Sequence, residues 1–136
     1  MPDTPTVANV RVLVEGALAK AESLGINVSV AILDAAGDLV MFQRMDGAPP
    51  FTVEVSQGKA YGVIFMRRTS AELRDMANTR AQFFDAVKSL GKRTLIPSPG
   101  GVPLPGGGAI GVSGAADPSQ DVEVAEAAIA ELKRES

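Results

Sequence analysis

Residues 26–45, INVSVAILDAAGDLVMFQRM, decide the fold because they predict a β-hairpin. Every second residue from Ile26 to Ile32 is β-branched, whereas Asn27, Ser29 and Ala31 lie between them, which is the period of a strand with one strongly apolar face. The next segment, residues 34–38, has the composition of a turn. DLVMFQRM, residues 38–45, then reads as the second strand.

Helical spacing of apolar residues surrounds this hairpin. Residues 5–24 carry apolar side chains in steps of three and four, and Gly25 is a suitable end for that helix. Two prolines lead into a second predicted helix at residues 51–66, because proline is favoured in the first turn. Its inward side chains are expected to be Phe51, Val55, Val63 and Met66.

The second half of the chain predicts three more helices and a strand. Thr69 with Glu72 has the spacing of a capping box and opens a short helix, and Thr79 with Gln82 repeats that spacing. The helix that begins there should end near Gly91 and bury one face. That face comprises Phe83, Val87 and Leu90. After a loop over residues 92–108, AIGVSGA (residues 109–115) predicts a strand, and an N-cap at Asp117 opens the closing helix. The buried face of that helix is expected to comprise Val122, Ala125, Ala128, Ile129 and Leu132.

This order of elements predicts one α+β domain over residues 1–136, with helices segregated around a mainly antiparallel sheet. It is not the alternation of strands and helices that builds a parallel, doubly wound sheet. Gly106, Gly108 and Gly111 satisfy the G-x-G-x-x-G pattern, but a strand follows them where a dinucleotide site needs a helix.

Composition excludes several classes of function. The 136 residues contain no histidine and no cysteine, which removes the Ser-His-Asp triad and thiolate metal sites, and no metal-ligand pattern stands out. A net charge of −3 argues against nucleic-acid binding. We expect a cytoplasmic protein without a membrane partner, since no secretory signal or apolar run of spanning length is present. Residues 67–93 are nevertheless locally basic, with seven cationic and three acidic side chains, which predicts either a solvated or subunit-contact surface or an anion-attracting face.

The loop segment PSPGGVPLPGGGAIGVSG, residues 97–114, is the first candidate for function because of its glycines. Glycine lets backbone N–H groups approach a ligand closely, and it equally allows a surface loop to turn. Both interpretations stay open at this stage. The candidate ligand-binding positions in this segment are Gly100, Gly101, Gly106, Gly107 and Gly108.

Charged side chains near the hairpin supply the other candidates. Arg44 and Asp46, two residues apart at the end of a strand, would share a face, where Arg44 could bind a carboxylate and Asp46 orient it. An exposed pair of little energetic value is the alternative. On the next helix, Glu54, Lys59 and Tyr61 are candidates for proton transfer or anion binding, provided that burial shifts their pKa values toward neutrality.

Three runs of the sequence resemble the GlcG/HbpS-like family of haem-degrading domains. They are VSVAILDAAGDLVMFQRMDGAPPFTVEVSQGKAYG (residues 28–62), IPSPGGVPLPGGGAIGVSGA (96–115) and SQDVEVAEAAI (119–129). The same module is similar to the C-terminal domain of PduO-type cobalamin adenosyltransferases. The resemblance implies a profilin-like fold, with helices flanking a five-stranded antiparallel sheet, a further strand near Gly101–Leu104, and homo-oligomers. It also makes haem a candidate cofactor, although no histidine is present to bind its iron. Substitute ligands would have to come from Tyr61, Lys59, Met41, Met45, Met66 or Met76.

These observations favour a homo-oligomeric protein that binds a small anionic or planar ligand. Its pocket would comprise Arg44, Asp46, Lys59, Tyr61 and the glycines of residues 100–108. The alternative is a cofactor-independent lyase, isomerase or hydrolase acting on a small organic acid, in which Glu54, Asp46 or Lys59 moves protons. A subunit that only supports a partner enzyme is a third hypothesis.

Overall fold

A computed structural model describes residues 5–135, which form five α-helices and four β-strands. In chain order these are α1 (Val7–Leu24), β1 (Ser29–Leu33), β2 (Leu39–Arg44), α2 (Thr52–Met66), α3 (Ser70–Thr79), α4 (Ala81–Val87), β3 (Gly101–Pro103), β4 (Ala109–Ser113) and α5 (Pro118–Glu135). None of these helices is long and apolar enough to cross a bilayer.

The strands form one antiparallel sheet in the order β2-β1-β4-β3, so the predicted hairpin lies on one side and the short β3 closes the other. Within residues 5–135 the sheet has four strands, and the expected count of five was wrong. The chain before β3 does not pair with the sheet. It packs on α2 instead, where Ile96 N donates to the Gly58 carbonyl at 3.4 Å, and Pro97 and Pro99 have no N–H for a ladder.

The two faces of the sheet are buried by different helices. Val30, Ile32, Ile110 and Val112 belong to one apolar cluster with the inner sides of α1 and α5. The alternate residues of the strands face α2, whose buried side chains join a second cluster with Leu33 and Ala109. The α+β arrangement predicted from the sequence is therefore confirmed, with a three-layer order of helices, sheet and helix.

Helix α2 lies where it was predicted, but its buried face is not the apolar one. Phe51, expected to point inward, precedes the helix and is 62% exposed. Val63 is buried as predicted, but most of the other buried residues of α2 are small or polar, and they include Thr52, Ser56, Lys59 and Ala60. Small residues let the helix backbone approach the sheet closely: a Cβ added at Gly111 of β4 would lie 2.8 Å from the Ala60 nitrogen.

The helices α3 and α4 differ in how they begin. The Thr69–Glu72 capping box is present, with the Glu72 N–H donating to the Thr69 hydroxyl at 3.2 Å. The second predicted capping box was wrong, because Thr79 ends α3 and its hydroxyl donates to the Asp75 carbonyl at 2.8 Å. Helix α4 ends at Val87 and buries Phe84, so the face predicted around Phe83 and Leu90 stays largely exposed.

Candidate functional site

Lys59 and Asp121 form a buried ion pair between α2 and α5. The Lys59 ammonium donates to an Asp121 carboxylate oxygen at 3.0 Å and to the Val112 carbonyl at 2.8 Å, with 2% and 3% of the two side chains exposed. The other Asp121 oxygen accepts from the Ala115 N–H at 3.1 Å. Burial lowers the pKa of Lys59, and Asp121 opposes that shift; burial likewise raises the pKa of Asp121 against the pull of the lysine.

The same region explains two of the predicted glycines. A Cβ added at Gly100 would lie 3.0 Å from the Lys59 ammonium and would collide with the Val112 carbonyl. At Gly101 it would press on the Lys59 backbone, and the Gly101 N–H is held by the Ser70 hydroxyl at 2.7 Å. The structure thus brings Lys59, Gly100 and Gly101 together. It does so in a closed contact in which the Lys59 ammonium is buried and already donates to Val112 and Asp121.

Tyr61 also lies inside the protein. Its hydroxyl accepts the Lys92 N–H at 3.0 Å, its ring stacks on Phe65 with centroids 5.7 Å apart, and the side chain is 5% exposed. Gly37 and Gly91 pack against the ring, since an added Cβ at either would lie within 2.9 Å of a ring atom. Tyr61 therefore ties the β1–β2 turn to the segment after α4.

Arg44 and Asp46 lie on the opposite edge of the sheet from β3 and the glycine loop. Strand β2 ends at Arg44, so Asp46 occupies the following turn and the expected shared strand face was wrong. The Arg44 guanidinium donates to the Ala48 carbonyl at 3.0 and 2.7 Å and is otherwise exposed, as are Asp46 and Glu54. The structure does not bring these three side chains into one pocket with Lys59 and Tyr61.

The remaining glycines form the turn between β3 and β4. Gly106, Gly107 and Gly108 all have positive φ angles, which glycine adopts at no steric cost. The turn is closed by hydrogen bonds between Leu104 and Gly108 at 3.0 Å and between Gly107 and Leu104 at 3.2 Å. Their first role is therefore to shape this turn.

An open groove of about 420 Å³ lies beside that turn, at the C-terminal end of α2. We call it the arginine groove. It is lined by Ala35, Val63, Ile64, Arg67, Arg68, Thr69, Glu72, Pro103 and Gly108. Its walls are mainly apolar, and the two arginines supply cationic groups with planar donor geometry that suits a carboxylate.

Arg67, which lines the arginine groove next to Arg68, has an unusual backbone conformation. Arg67 ends α2 in the left-handed region, with φ 57° and ψ 42°, and its N–H donates to the Val63 carbonyl at 3.0 Å. A non-glycine residue at positive φ is uncommon and is found disproportionately at functional sites. The Glu72 carboxylate accepts from the Thr69 N–H at 2.9 Å, which lowers its pKa, and Arg68 adds a weaker electrostatic effect in the same direction.

Residue-by-residue reasoning on the sequence missed Arg67 and Arg68 as site residues. The signal that could have found them was the locally basic segment at residues 67–93, which opens with this pair between two helices. Of the predicted glycines, Gly108 lines the arginine groove.

The fold and these contacts define a small α+β domain in which the arginine groove is cationic and has apolar walls. The family model described as the haem-degrading protein HbpS-like family matches residues 6–130, and the chain belongs to that family. It is 29% identical over 130 residues to an uncharacterised 15.0 kDa protein from the dhaT–dhaS intergenic region of Citrobacter freundii, covering 93% of this chain and 90% of that protein.

Solved structures agree with this assignment. The PduOC–haem complex is similar with a TM-score of 0.83 and 28% identity, covering 93% of each chain. A double mutant of Streptomyces reticuli HbpS has a TM-score of 0.82 and 25% identity, covering 96% of this chain and 88% of that one. ORFY of Klebsiella pneumoniae, a DUF336 protein, shares the fold, with a TM-score of 0.85 at 24% identity and coverage of 98% and 93%.

The side chains of this chain do not fit a haem whose iron is coordinated in the arginine groove. No residue lining the groove has an imidazole, thiolate, phenolate or thioether. Three of the six substitute ligands are engaged in hydrogen bonds elsewhere: Lys59 in its ion pair, Tyr61 with Lys92, and the Met45 sulfur with the Val28 N–H at 3.3 Å. The other three, Met41, Met66 and Met76, pack in or against the two apolar clusters. Among residues 5–135, no group of three or more His, Cys, Asp or Glu side chains could hold a metal ion.

Proposed function

We propose that this protein is a homo-oligomeric binding protein for a small anionic ligand with a planar or apolar body. The observation that carries the proposal is the pair Arg67–Arg68 at the edge of an apolar-walled groove. A guanidinium can hold a carboxylate through two parallel N–H···O bonds, while Val63, Ile64 and Pro103 offer apolar contact. Haem stays a candidate because the structure of a relative is a haem complex. Here its carboxylates, and not its iron, would provide the attachment.

A comparison of two porphyrins tests this proposal. Protoporphyrin IX without metal and haemin share the two carboxylates and differ in the iron. We expect both to saturate the wild-type protein with similar affinity in a fluorescence or absorbance titration. The double substitution Arg67→Asn and Arg68→Gln should lower the affinity for each porphyrin by about tenfold or more, because hydrogen bonds to charged groups contribute about 1.5–3 kcal/mol each. Asparagine is chosen at Arg67 because it tolerates positive φ.

The matched control is Arg11→Gln, which removes an exposed cation from α1, away from the arginine groove. Its affinity for both probes should equal that of the wild type. Binding of haemin alone would contradict the proposal, since it would show attachment through iron. Unchanged affinity in the double arginine variant would show that the ligand lies elsewhere.

The outer edge of β2 supports the homo-oligomeric part of the proposal. Among residues 5–135, β2 packs against β1, α1 and α2, and no other element covers its free edge. Leu39 and Val40 are 42% and 38% exposed, and the strand contains no lysine or proline of the kind that blocks edge pairing. Antiparallel pairing of two copies about a two-fold axis would satisfy the unpaired backbone groups of both free edges.

Single cysteines test this contact cleanly because the chain has none. A series that places one cysteine at each position from Leu39 to Arg44 should give oxidised dimers at the one or two central positions near the axis. Cysteine at Ala8, an exposed residue of α1, is the control and should stay monomeric on a non-reducing gel. Equal cross-linking at Ala8, or a monomeric wild type at all concentrations in gel filtration with light scattering, would refute the β2 contact.

The enzymatic alternative has less support from the geometry. Lys59, the candidate with a shifted pKa, is enclosed by Asp121 and the Val112 carbonyl, and Asp46 and Glu54 are exposed and line none of the grooves described. A lyase, isomerase or hydrolase acting on a small organic acid stays a prediction from the sequence.

A further inference from the structure

A second, larger groove adjoins the arginine groove at the outer edge of β3. It has a volume of about 650 Å³ and lies between β3, its turn and α5. We call it the β3–α5 trough. Its lining includes Val102, Leu104, Glu126, Ile129, Ala130 and Lys133. Thr69 and Pro103 line both spaces, so the two grooves meet at these residues.

We propose that the ligand is an elongated amphipathic carboxylate, with its anionic end at Arg67 and Arg68 and its apolar body crossing Pro103 into the β3–α5 trough. This inference rests on the proposed function, because it takes the arginine groove as the site of the anionic group. It adds the chemical class of the remainder of the ligand.

The difference in polarity between the two grooves supports this orientation. The arginine groove carries two cations and one acid, Glu72, whose carboxylate is already engaged by Thr69. The trough is walled by Val102, Leu104 and Ile129, and its charged residues, Glu126 and Lys133, have opposite signs. A ligand with one charged end and one apolar end would match this asymmetry, whereas a compact anion would leave the trough empty.

An exposed sheet edge can also bind a peptide as an added strand, but the edge of β3 is unsuited to this. The Gly101 N–H is already bonded to the Ser70 hydroxyl at 2.7 Å, and Pro103 has no N–H to donate. Strand addition depends on a row of free backbone groups. An apolar ligand needs none, and a three-residue strand offers it a path of about 10 Å.

Carboxylates of increasing length test the inference. Butyrate and octanoate carry the same head group and differ in apolar length. Complete burial of a methylene improves affinity about fourfold. We therefore expect octanoate to bind the wild-type protein at least about tenfold more tightly than butyrate in isothermal titration, even with partial burial. Octanol, which lacks the carboxylate, should bind much more weakly than octanoate.

Two alanine-to-aspartate variants distinguish the effect of a charge placed in the trough from the general effect of one added negative charge. Ala130→Asp places a carboxylate in the trough and should abolish the gain of octanoate over butyrate. Ala8→Asp adds the same charge to the exposed start of α1 and should preserve that gain. The double variant Arg67→Asn and Arg68→Gln should bind neither butyrate nor octanoate measurably.

Each outcome decides between the two proposals. Equal, arginine-dependent affinity for butyrate and octanoate would overturn the elongated ligand and leave the arginine groove in place. If octanoate still bound more tightly than butyrate in Ala130→Asp, the apolar body of the ligand would lie outside the trough, and the inference would also be overturned. Absence of arginine-dependent binding for any probe would overturn both.

Discussion

Removing the charge of Lys59 should destabilise the fold strongly. The substitution Lys59→Met keeps an unbranched side chain of similar length but leaves the Asp121 carboxylate buried without its cation and the Val112 carbonyl without its donor. Breaking a buried ion pair by removing one partner costs about 3–5 kcal/mol. With an unfolding entropy of about 2.1 cal/mol/K per residue, that loss lowers the Tm of a 136-residue domain by about 10–17 °C.

Urea unfolding followed by circular dichroism measures this loss. Lys88→Met is the matched control, since Lys88 pairs with Asp85 at 2.8 Å on the surface, where its side chain is 40% exposed. Such a change should alter the unfolding free energy by about 0.5 kcal/mol or less. Adding Asp121→Asn to Lys59→Met removes the stranded charge and should restore about 1–3 kcal/mol. Equal small effects of Lys59→Met and Lys88→Met, or strictly additive losses in the double variant, would refute the view that the pair ties α2 to α5.

Three further predictions concern packing, capping and protonation. Gly111→Ala should lower the free energy of unfolding by about 1–3 kcal/mol or more, because the added methyl collides with the α2 backbone. Thermal unfolding measures this loss, and a Tm equal to that of the wild type would contradict the prediction. Thr69→Ala should cost about 1 kcal/mol by removing the α3 cap, whereas an equal Tm would show that the capping box adds nothing. In a carboxyl ¹³C NMR titration, Asp121 should titrate above the ordinary aspartate pKa of 3.8, because burial raises its pKa. Asp117 should titrate below that value, because hydrogen bonds from Ser119 lower its pKa. Between pH 3.8 and its raised pKa, Asp121 binds more protons in the folded protein than in the unfolded chain, so its contribution to the unfolding free energy rises as the pH falls through that window. The contribution of Asp117 instead falls as the pH drops below 3.8 through its lowered pKa. The reverse order of titration would contradict both expectations.

Much of the fold could be predicted because local chemistry and tertiary packing agree. Gly25 ends α1 with φ 71°, the Thr69–Glu72 box opens α3, and the Asp117 carboxylate accepts from the Ser119 N–H at the start of α5. The strand count of five came from the family resemblance and was wrong, whereas the strand that the resemblance placed near Gly101–Leu104 is present as β3. The inner face of α2 was predicted only in part, since Val63 is buried whereas Phe51 is exposed. Apolar periodicity identifies a face that buries large side chains, whereas α2 approaches the sheet through Ser56 and Ala60.

The candidate site was harder to predict than the fold. Lys59, Tyr61 and Gly100 were selected because their chemistry suits ligands, and the structure uses their polar groups inside the protein. Sequence alone cannot separate a buried, satisfied lysine from an exposed one, because its partner Asp121 lies 62 residues away. Arg67 and Arg68 escaped notice for the opposite reason: adjacent cations are common on surfaces, and their value depends on the β3–β4 turn that completes the groove.

The position of Arg67 and Arg68 favours recognition of haem through its carboxylates over coordination of its iron. If recognition depends on Arg67 and Arg68, a ligand is selected by its carboxylate and its apolar body, and the metal at its centre is irrelevant. Protoporphyrin IX should then displace haemin competitively and at similar concentration. Relatives that coordinate the iron would instead discriminate between the two. The ratio of these affinities therefore distinguishes recognition of a carboxylate from coordination of a metal, and a ratio far from unity in favour of haemin would contradict recognition through the arginines.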